Sequence, residues 1–342
     1  DILPSLSMLT LMDLDQARSM KLIQRFNPIP AYYDHLRKLI DCDIIAENPQ
    51  RFVIDSMYGS GRGVIRGFLQ GTGCEITEIR GEMNPGFGGV HPEPIGHNLG
   101  ALAGAIGAGM GSFGIATDGD ADRIGAMDER SNFVDPHKIM ALALRYLVEK
   151  RGLTGSVVRT VSTTRMIDRL AKKYGLIVHE TPVGFNYIAD YMMKEQVLIG
   201  GEESGGIGFT GHIPEGDGVL MGLLIIEMVA EAGKTLYQMV EELQKEVGPA
   251  LYERIDLRLK YPVAKEKMVQ LLVNHPPVNI AGETVVEIST LDGVKYIFSD
   301  DSWLLIRPSG TEPVLRVYAE GRSEEMVKEL LKFGSAIADS VS

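Results

Sequence analysis

The 342-residue sequence is poor in cysteine and tryptophan, with two residues of the first kind and one of the second. The two cysteines, Cys42 and Cys74, exclude a disulfide framework and have no spacing typical of a metal site. We expect both to be reduced, small, buried side chains in a reducing compartment, which predicts a cytoplasmic protein. No basic segment precedes an apolar one at the start of the sequence, so no signal peptide is predicted.

Basic residues are fewer than acidic ones. The sequence has 34 Lys and Arg and 46 Asp and Glu, which gives a formal net charge of −12. Proteins that bind nucleic acid usually present a basic surface, so this composition disfavours a nucleic-acid partner. Hydrophobic residues make up 44% and charged residues 23% of the chain, which is the balance of an ordinary globular protein. The length predicts two or three domains that each bury a core.

No apolar run is predicted to cross a membrane, although residues 98–117 carry no charge and are long enough to do so. Six of these residues are Gly and few have large apolar side chains, so transfer into lipid would gain little free energy. We expect a small-residue helix that packs on a sheet, followed by a buried strand at residues 113–116. No membrane partner is predicted.

The spacing of apolar residues predicts the order of helices and strands. It predicts one helix over residues 13–26 and a second, opened by Pro30, over residues 31–40. Short apolar strands then alternate with amphipathic helices in two successive units, which is typical of βαβ structure. We therefore expect an α/β fold with two βαβ-type domains, whose mixed sheets are mostly parallel, followed by an α+β C-terminal domain. The expected domains are residues 26–132, 133–250 and 251–342.

The strongest chemical signal is the segment Thr117-Asp-Gly-Asp-Ala-Asp-Arg123. Asp118, Asp120 and Asp122 occupy alternate positions on a turn that leaves an apolar strand. Their oxygens can therefore converge on one hard cation, and oxygen is the ligand that Mg²⁺ and Ca²⁺ prefer. Without a counterion the three carboxylates would repel one another. The pattern predicts a site for a divalent cation.

A calcium-binding EF-hand loop is the alternative for the same segment. The three aspartates fit positions 1, 3 and 5 of such a loop, and Glu129 fits position 12. However, Arg123 stands where the sharp turn of that loop needs Gly, and the preceding residues predict a strand instead of a helix. These two departures disfavour the EF-hand.

Two further loops have the composition of ligand-binding sites. The first, Gly201-Glu-Glu-Ser-Gly-Gly206, follows a predicted strand, and ligands bind at the carboxyl ends of strands in open α/β sheets. Its Glu202 and Ser204 suit sugar hydroxyls.

The second loop, Arg307-Pro-Ser-Gly-Thr-Glu-Pro313, contains a guanidinium, hydroxyls and Gly amides, which suit a phosphate. The candidate phosphate ligands are Arg307, Ser309, Gly310, Thr311 and Arg316.

A third Gly-rich segment, Tyr58-Gly-Ser-Gly-Arg-Gly63, follows a predicted strand near the start of the first expected domain. It has no Walker pattern, so a phosphate-binding loop is disfavoured. We expect it to be the turn between a strand and a helix.

The three predicted loops suit a divalent metal, a polyhydroxylated ligand and a phosphate. In their order along the chain, they resemble the motifs of the α-D-phosphohexomutase family, which comprises phosphoglucomutases and phosphomannomutases. Supporting stretches are Val53-Ile-Asp-Ser-Met-Tyr-Gly59, Pro92-Glu-Pro94 with Asn98-Leu99, and Thr181-Pro-Val-Gly-Phe185. The resemblance covers nearly the whole chain. It implies four domains around a cleft, in which a phosphoserine exchanges its phosphoryl group with a hexose 1- or 6-phosphate through a hexose 1,6-bisphosphate.

The resemblance also implies roles for the candidate residues. The three aspartates would bind Mg²⁺ beside the phosphoserine, and Arg123 would stabilise charge on the transferring group as the catalytic residue. Glu202 and Ser204 would bind the sugar hydroxyls. The candidate phosphate ligands would bind the phosphate that does not react.

The family's phosphoserine loop, Thr-Ala-Ser-His-Asn-Pro, does not occur in the sequence. The pair His97-Asn98 belongs to another pattern, and residues 1–25 resemble the tail of a first domain that is missing. We therefore expect a truncated mutase that is inactive alone. Two alternatives stay open: a non-catalytic protein that binds a sugar phosphate or a divalent cation, and a regulatory paralogue that lost its serine.

Two smaller departures from the family pattern concern the substrate. Gly206 stands where some members have His, which removes one candidate acid or base. Asn186 stands where close relatives often have Lys, which weakens an expected phosphate contact. The Glu-Glu-Ser-Gly-Gly form is more similar to glucose and mannose mutases than to glucosamine mutases.

Overall fold

The computed structural model of the chain describes residues 11–259, 265–274, 276–309 and 313–341. The chain divides into two compact units, residues 1–38 and residues 39–342. In the described residues, the smaller unit contains two short helices, and the larger unit contains three β-sheets with the helices that cover them.

The helices of the smaller unit are shorter than the sequence predicts. Helix α1 spans Leu14–Ser19 and helix α2 spans Ile29–Leu36. The Asp13 side chain accepts hydrogen bonds from the backbone amides of Asp15 and Gln16, which caps the start of α1. The prediction of a single helix over residues 13–26 is wrong, because Lys21 adopts a positive φ of 58°, which a helix does not accommodate. The second helix likewise ends before the predicted residue 40.

The first sheet of the larger unit has five strands in the order β2-β1-β3-β4-β5, with β1 to β3 parallel and the last two antiparallel. Its strands are β1 Arg51–Asp55, β2 Glu75–Ile79, β3 Gly114–Thr117, β4 Ile124–Met127 and β5 Phe133–Val134. Its helices are α3 Cys42–Glu47, α4 Val64–Phe68 and α5 Gly100–Gly107. The parallel strands carry the helical crossovers, as a βαβ pattern requires.

The uncharged stretch at residues 98–117 folds as predicted. Helix α5 buries Leu102 and Ile106 in the same apolar cluster as Ala116 of the following strand. Close packing explains the small residues, because a Cβ at Gly114 would lie 2.6 Å from a methyl group of Leu102. In the described part of the chain, no helix combines the length and apolar character needed to cross a membrane.

The second sheet has four strands in the order β7-β6-β8-β9, and only its last pair is antiparallel. Its strands are β6 Ser156–Thr160, β7 Val178–Thr181, β8 Val197–Gly201 and β9 Ile207–Phe209. The helices of this region are α6 Pro136–Glu149, α7 Met166–Tyr174, α8 Phe185–Lys194, α9 Gly218–Ala232 and α10 Leu236–Val247. Helix α9 is buried on all sides and packs on strands of both sheets, which explains its nearly uniform apolar sequence.

The last sheet is antiparallel throughout, with the order β10-β15-β14-β13-β12-β11. Its strands are β10 Leu251–Arg258, β11 Asn279–Ile280, β12 Glu283–Ser289, β13 Val294–Phe298, β14 Trp303–Pro308 and β15 Val314–Gly321. Helices α11 Lys265–Asn274 and α12 Glu324–Val341 accompany it. Two mixed sheets followed by an antiparallel one confirm the predicted fold class.

The prediction that the cysteines are buried is wrong. Cys42 and Cys74 are both partly exposed. Cys42 begins the short helix α3, and Cys74 lies just before β2, so each stands at the end of an element and not inside the core.

A buried lysine lies where the last sheet meets the second one. Lys295 is 0% exposed, and its ammonium donates to the Val161 carbonyl at 2.7 Å and to the Glu180 carboxylate at 3.0 Å. It also lies 4.5 Å from the centre of the Trp303 ring. Burial, followed by the Arg159 guanidinium, lowers the pKa of Lys295 to about 8 in spite of Glu180.

We expect this lysine to make the protein more stable as the pH rises from 8 to 10.5. In this window the unfolded chain keeps the proton that folded Lys295 has lost, and each pKa unit of difference corresponds to about 1.4 kcal/mol. Urea unfolding of the wild type and Lys295→Met across this range measures the effect. The variant should lose the rise, whereas Lys245→Met, on an exposed face of α10, should keep it. Parallel pH profiles for the wild type and Lys295→Met would refute the expectation.

Candidate functional site

The three predicted metal ligands lie on the loop between β3 and β4, and the structure brings them together. One carboxylate oxygen from each of Asp118, Asp120 and Asp122 lies within 4.8 Å of the others. The backbone amide of Arg123 donates to Asp118 at 3.1 Å and holds the loop closed. Two antiparallel strands flank the loop where an EF-hand has two helices, so the EF-hand alternative is wrong.

The electrostatics of this loop favour a bound cation. Burial, followed by the carboxylates of Asp122 and Asp120, raises the pKa of Asp118 to about 8, although the Arg123 amide opposes the shift. Oδ1 of Asp122 is buried and has no hydrogen-bond partner among the described residues. A divalent cation would neutralise the repulsion and use the unsatisfied oxygen, so the three carboxylates fit Mg²⁺ or Ca²⁺.

The Gly-rich segment at residues 58–63 packs against the loop of residues 118–123, which we call the metal loop. It is the turn from β1 to α4, as predicted, and the Ser60 amide donates to the Gly119 carbonyl at 2.9 Å. A Cβ at Gly59 would lie 2.8 Å from the same carbonyl oxygen, so only glycine allows this approach. The spacing of the glycines gave no sign that they contact a loop 60 residues further along the chain.

The loop at residues 201–206, which we call the sugar loop, lies beside the metal loop. It connects β8 to β9 as a tight turn, in which the Glu202 amide donates to the Gly206 carbonyl at 3.0 Å. Arg123 forms an isolated antiparallel bridge with Gly206, and the Ile124 amide donates to the Gly205 carbonyl at 3.1 Å. Backbone contacts therefore join the two loops that the sequence predicts for metal and sugar.

Each acidic side chain of the sugar loop has a fixed partner. The Glu202 carboxylate accepts from the Gly184 amide at 2.9 Å, and burial, followed by the neighbouring Glu203, raises the pKa of Glu202 to about 7. Glu203 accepts from the Ser162 hydroxyl at 2.8 Å and lies 3.7 Å from Arg254. Sequence reasoning missed Ser162, which reaches the loop because β6 and β8 are neighbours in the sheet.

An open cavity of about 490 Å³ adjoins both loops. Of the predicted site residues, Arg123, Glu202, Ser204 and Arg316 line it. Four other charged residues on its wall were not predicted as site residues, and they are Glu93, Glu203, Arg254 and Asp256. Glu93 and Glu203 belong to stretches that carry the family resemblance, whereas Arg254 and Asp256 lie outside any such stretch. Carboxylates and guanidiniums around one cavity suit a ligand that carries both hydroxyls and phosphate.

The two predicted phosphate arginines stand opposite each other. Arg307 on β14 and Arg316 on β15 are register partners, and like charges in this position destabilise a sheet unless an anion lies near. Nε of Arg307 donates to Asp292 at 2.7 Å. Nε of Arg316 lies 3.7 Å from the Asp256 carboxylate and has no hydrogen-bond partner in the described part of the chain. The Ser309 amide donates to the Val314 carbonyl at 2.8 Å.

The structure brings only part of the predicted phosphate site to the cavity. Arg307 and Ser309 are not on the cavity wall, and Gly310 and Thr311 lie outside the described residues.

These observations define a protein with two mixed α/β sheets, an antiparallel C-terminal sheet and an acidic loop at the edge of a cavity. Three family models of the phosphoglucomutase/phosphomannomutases match the chain. The alpha/beta/alpha domain II matches residues 30–131, the alpha/beta/alpha domain III residues 135–247 and the C-terminal domain residues 230–333. The chain belongs to the phosphoglucomutase/phosphomannomutase family.

Individual relatives agree with this assignment. A Thermococcus kodakarensis phosphoglucomutase/phosphomannomutase is 31% identical over 90% of this chain, which spans 64% of that relative. A Methanosphaera stadtmanae protein named as a phosphoglucosamine mutase is 32% identical over 93% of this chain and 69% of its own length. A crystal structure from Thermus thermophilus, named as a phosphomannomutase, has a TM-score of 0.80 and 31% identity, with 96% of this chain and 72% of that chain covered.

A more distant structure has the same fold. The Aspergillus fumigatus N-acetylphosphoglucosamine mutase, in complex with GlcNAc-6P and magnesium, has a TM-score of 0.59 and 17% identity. The match covers 91% of this chain and 69% of that one. At this identity the likeness extends to the fold alone.

Proposed function

We propose that this chain is part of a phosphohexomutase that interconverts hexose 1-phosphate and hexose 6-phosphate through a hexose 1,6-bisphosphate. The observation that carries the proposal is that the bridge between Arg123 and Gly206 joins the metal loop to the sugar loop. Both loops adjoin one cavity, whose wall also includes Arg316. Family membership supports it. The proposed domains are residues 26–132, 133–250 and 251–342.

The proposed metal ligands are Asp118, Asp120 and Asp122, and the proposed ion is Mg²⁺. When bound, Mg²⁺ supplies positive charge that stabilises a transferring phosphoryl group. Arg123 lies on the cavity wall and 3.7 Å from Asp118, where its guanidinium would stabilise the same developing charge.

The proposed substrate contacts divide between the sugar and its phosphate. Glu202 and Ser204 on the cavity wall would bind hydroxyls of the hexose. The proposed phosphate ligands are Arg307, Ser309, Gly310, Thr311 and Arg316. Relatives carry names of both phosphomannomutases and phosphoglucosamine mutases, and the Glu-Glu-Ser-Gly-Gly loop favours glucose or mannose as the sugar of this chain.

The chain alone is proposed to bind its substrate without being phosphorylated, because its sequence has no Thr-Ala-Ser-His-Asn-Pro loop. We expect calorimetry with glucose 1,6-bisphosphate and Mg²⁺ to detect binding, while intact mass spectrometry detects no added phosphate. Stoichiometric phosphoserine would contradict the proposed inactivity. Absence of any binding would contradict the mutase assignment itself.

The alternative is a non-catalytic protein that binds a sugar phosphate or a divalent cation. The two functions differ once a phosphoryl donor is present. A family phosphoserine domain supplied in trans should produce glucose 6-phosphate from glucose 1-phosphate if the chain is a mutase. Binding without turnover in that experiment would favour the alternative.

We expect Glu202→Gln to weaken glucose 1-phosphate binding about tenfold at pH 8, because a charged acceptor binds hydroxyls more strongly than an amide does. The ratio of variant to wild-type Kd should shrink as the pH falls through about 7, where the wild-type carboxylate takes up a proton. Calorimetry at several pH values measures this ratio. Glu287→Gln, on the exposed side of β12, is the matched control and should leave Kd unchanged. A ratio that does not vary with pH would count against a direct role of Glu202.

A further inference from the structure

Asp292 connects the two halves of the proposed substrate site. It lies in the turn between β12 and β13, and its side chain is only 5% exposed. Its Oδ2 accepts from Nε of Arg307 at 2.7 Å and from the backbone amide of Val183 at 3.2 Å. A carboxylate of the C-terminal sheet therefore holds an arginine of its own sheet and the backbone of a loop 109 residues earlier in the chain.

The loop on the other side of this contact also holds the sugar loop. The next backbone amide, that of Gly184, donates to Glu202 at 2.9 Å. Gly184 has a φ of 138°, which favours glycine, and a Cβ there would lie 2.6 Å from the Asn186 side chain. Two consecutive amides are thus directed at two carboxylates, one from each half of the site.

The turn that carries Asp292 is fitted closely to Arg307. Gly293 has a φ of 91°, and a Cβ there would lie 2.5 Å from the Ile306 carbonyl oxygen and 3.0 Å from Cα of Arg307. Only glycine allows the turn to lie this close to the backbone of Arg307. Asp292 takes the Nε–H group of Arg307. The terminal nitrogens of an arginine carry four further N–H donors in a planar fork, which suits a phosphate.

From this geometry we infer that Asp292 is a positioning residue, which orients Arg307 for phosphate and ties it through Val183 and Gly184 to Glu202. The inference rests on the proposed function, because it assumes that Arg307 binds the substrate phosphate. An arginine fixed by a carboxylate loses less side-chain freedom on binding an anion. The stretch Leu291-Asp-Gly293 gives no sign of this role in sequence, since its partners are distant in the chain.

A double-mutant cycle tests the inference with the full chain and glucose 1-phosphate as the probe. We expect Asp292→Ala to raise Kd about tenfold, because the guanidinium loses a charged hydrogen bond that fixes its direction. In an Arg307→Ala background the same change should raise Kd no further, since no arginine remains to be oriented. Asp292→Asn, which keeps an oxygen for both donors, should lie between the wild type and Asp292→Ala.

The controls separate positioning from a structural role and from failure of the proposed function. Glu287→Ala, on exposed β12, removes the same charge from the same sheet and should leave Kd unchanged. Equal losses from Asp292→Ala with and without Arg307 would overturn the positioning role, because a purely structural effect does not depend on the arginine. If the wild-type chain does not bind glucose 1-phosphate at all, the proposed function fails and this inference fails with it.

Discussion

Replacing Asp118 with Asn is expected to weaken the binding of Mg²⁺ about 100-fold. The change removes one of three convergent carboxylates, and affinity for a hard cation depends strongly on the number of charged oxygen ligands. The asparagine keeps an oxygen for the Arg123 amide, so the loop should retain its shape. Isothermal titration with Mg²⁺, and with Mn²⁺ as a paramagnetic substitute, measures the two affinities.

The control for this result is Asp190→Asn, which removes an exposed carboxylate on α8 and should leave metal binding unchanged. A circular dichroism melt of each variant shows whether the fold is kept. Equal affinity in the wild type and in a folded Asp118→Asn variant would contradict a metal site at this loop.

The same carboxylate predicts how metal binding depends on pH. With a pKa of about 8, Asp118 carries a proton at neutral pH in the metal-free protein, and this proton must leave before the oxygen binds a cation. We expect Mg²⁺ affinity to rise about tenfold per pH unit up to pH 8 and then to level off. Titration in buffers with different ionisation enthalpies should show one proton released per ion at pH 7. Release of no proton would contradict the raised pKa.

Replacing Glu227 with Ala is expected to destabilise the fold by about 3–5 kcal/mol, which is the range for breaking a buried ion pair by removing one partner. Glu227 is 0% exposed within the apolar helix α9. It accepts from the Tyr146 hydroxyl at 2.6 Å, from Arg151 at 2.5 and 2.6 Å and from the Asp41 amide at 2.9 Å. Without the carboxylate, the guanidinium and the hydroxyl would both lose this charged acceptor.

The hydrogen bonds of Glu227 connect distant parts of the larger unit, so we expect their loss to destabilise the whole unit. Arg151 also donates to the Leu39 carbonyl at 2.6 Å, so the carboxylate indirectly fixes the start of the larger unit. The midpoint of urea unfolding should fall for Glu227→Ala and less for Glu227→Gln, which keeps one acceptor oxygen. Glu47→Ala, an exposed carboxylate at the end of α3, is the control and should change stability little. A Glu227→Ala midpoint equal to that of the control would contradict the network's importance.

The sequence predicted those parts of the fold and site that depend on local pattern. Short apolar strands and the long apolar run of α9 are visible in the sequence as local patterns. Asp118, Asp120 and Asp122 converge because a turn after a strand brings alternate residues together. Local capping already limits this reasoning, since the first predicted helix stops where Lys21 adopts a positive φ. Helix boundaries depend on such single residues.

Contacts between distant parts of the chain were not predictable in the same way. Ser162 holds Glu203 from 41 residues earlier, and Asp292 holds the Val183 amide across 109 residues. Neither residue lies in a pattern of its own, because its role is set by which strands become neighbours and how the last sheet packs on the second. Asp256 reaches the cavity wall for the same reason, because β10 pairs with β15 and places it opposite Arg316.

The most direct test of a shared metal and sugar-phosphate site is the effect of Mn²⁺ on the ³¹P signal of glucose 1-phosphate. If the aspartate loop and the cavity form one site, Mn²⁺ bound to the wild-type chain should strongly enhance the relaxation of the bound phosphate. The Asp118→Asn variant should lose most of this enhancement. The enhancement that it keeps measures Mn²⁺ bound to free glucose 1-phosphate, so the variant is also the control for that effect. Tight binding of both ligands with equal relaxation in the wild type and the variant would contradict the account.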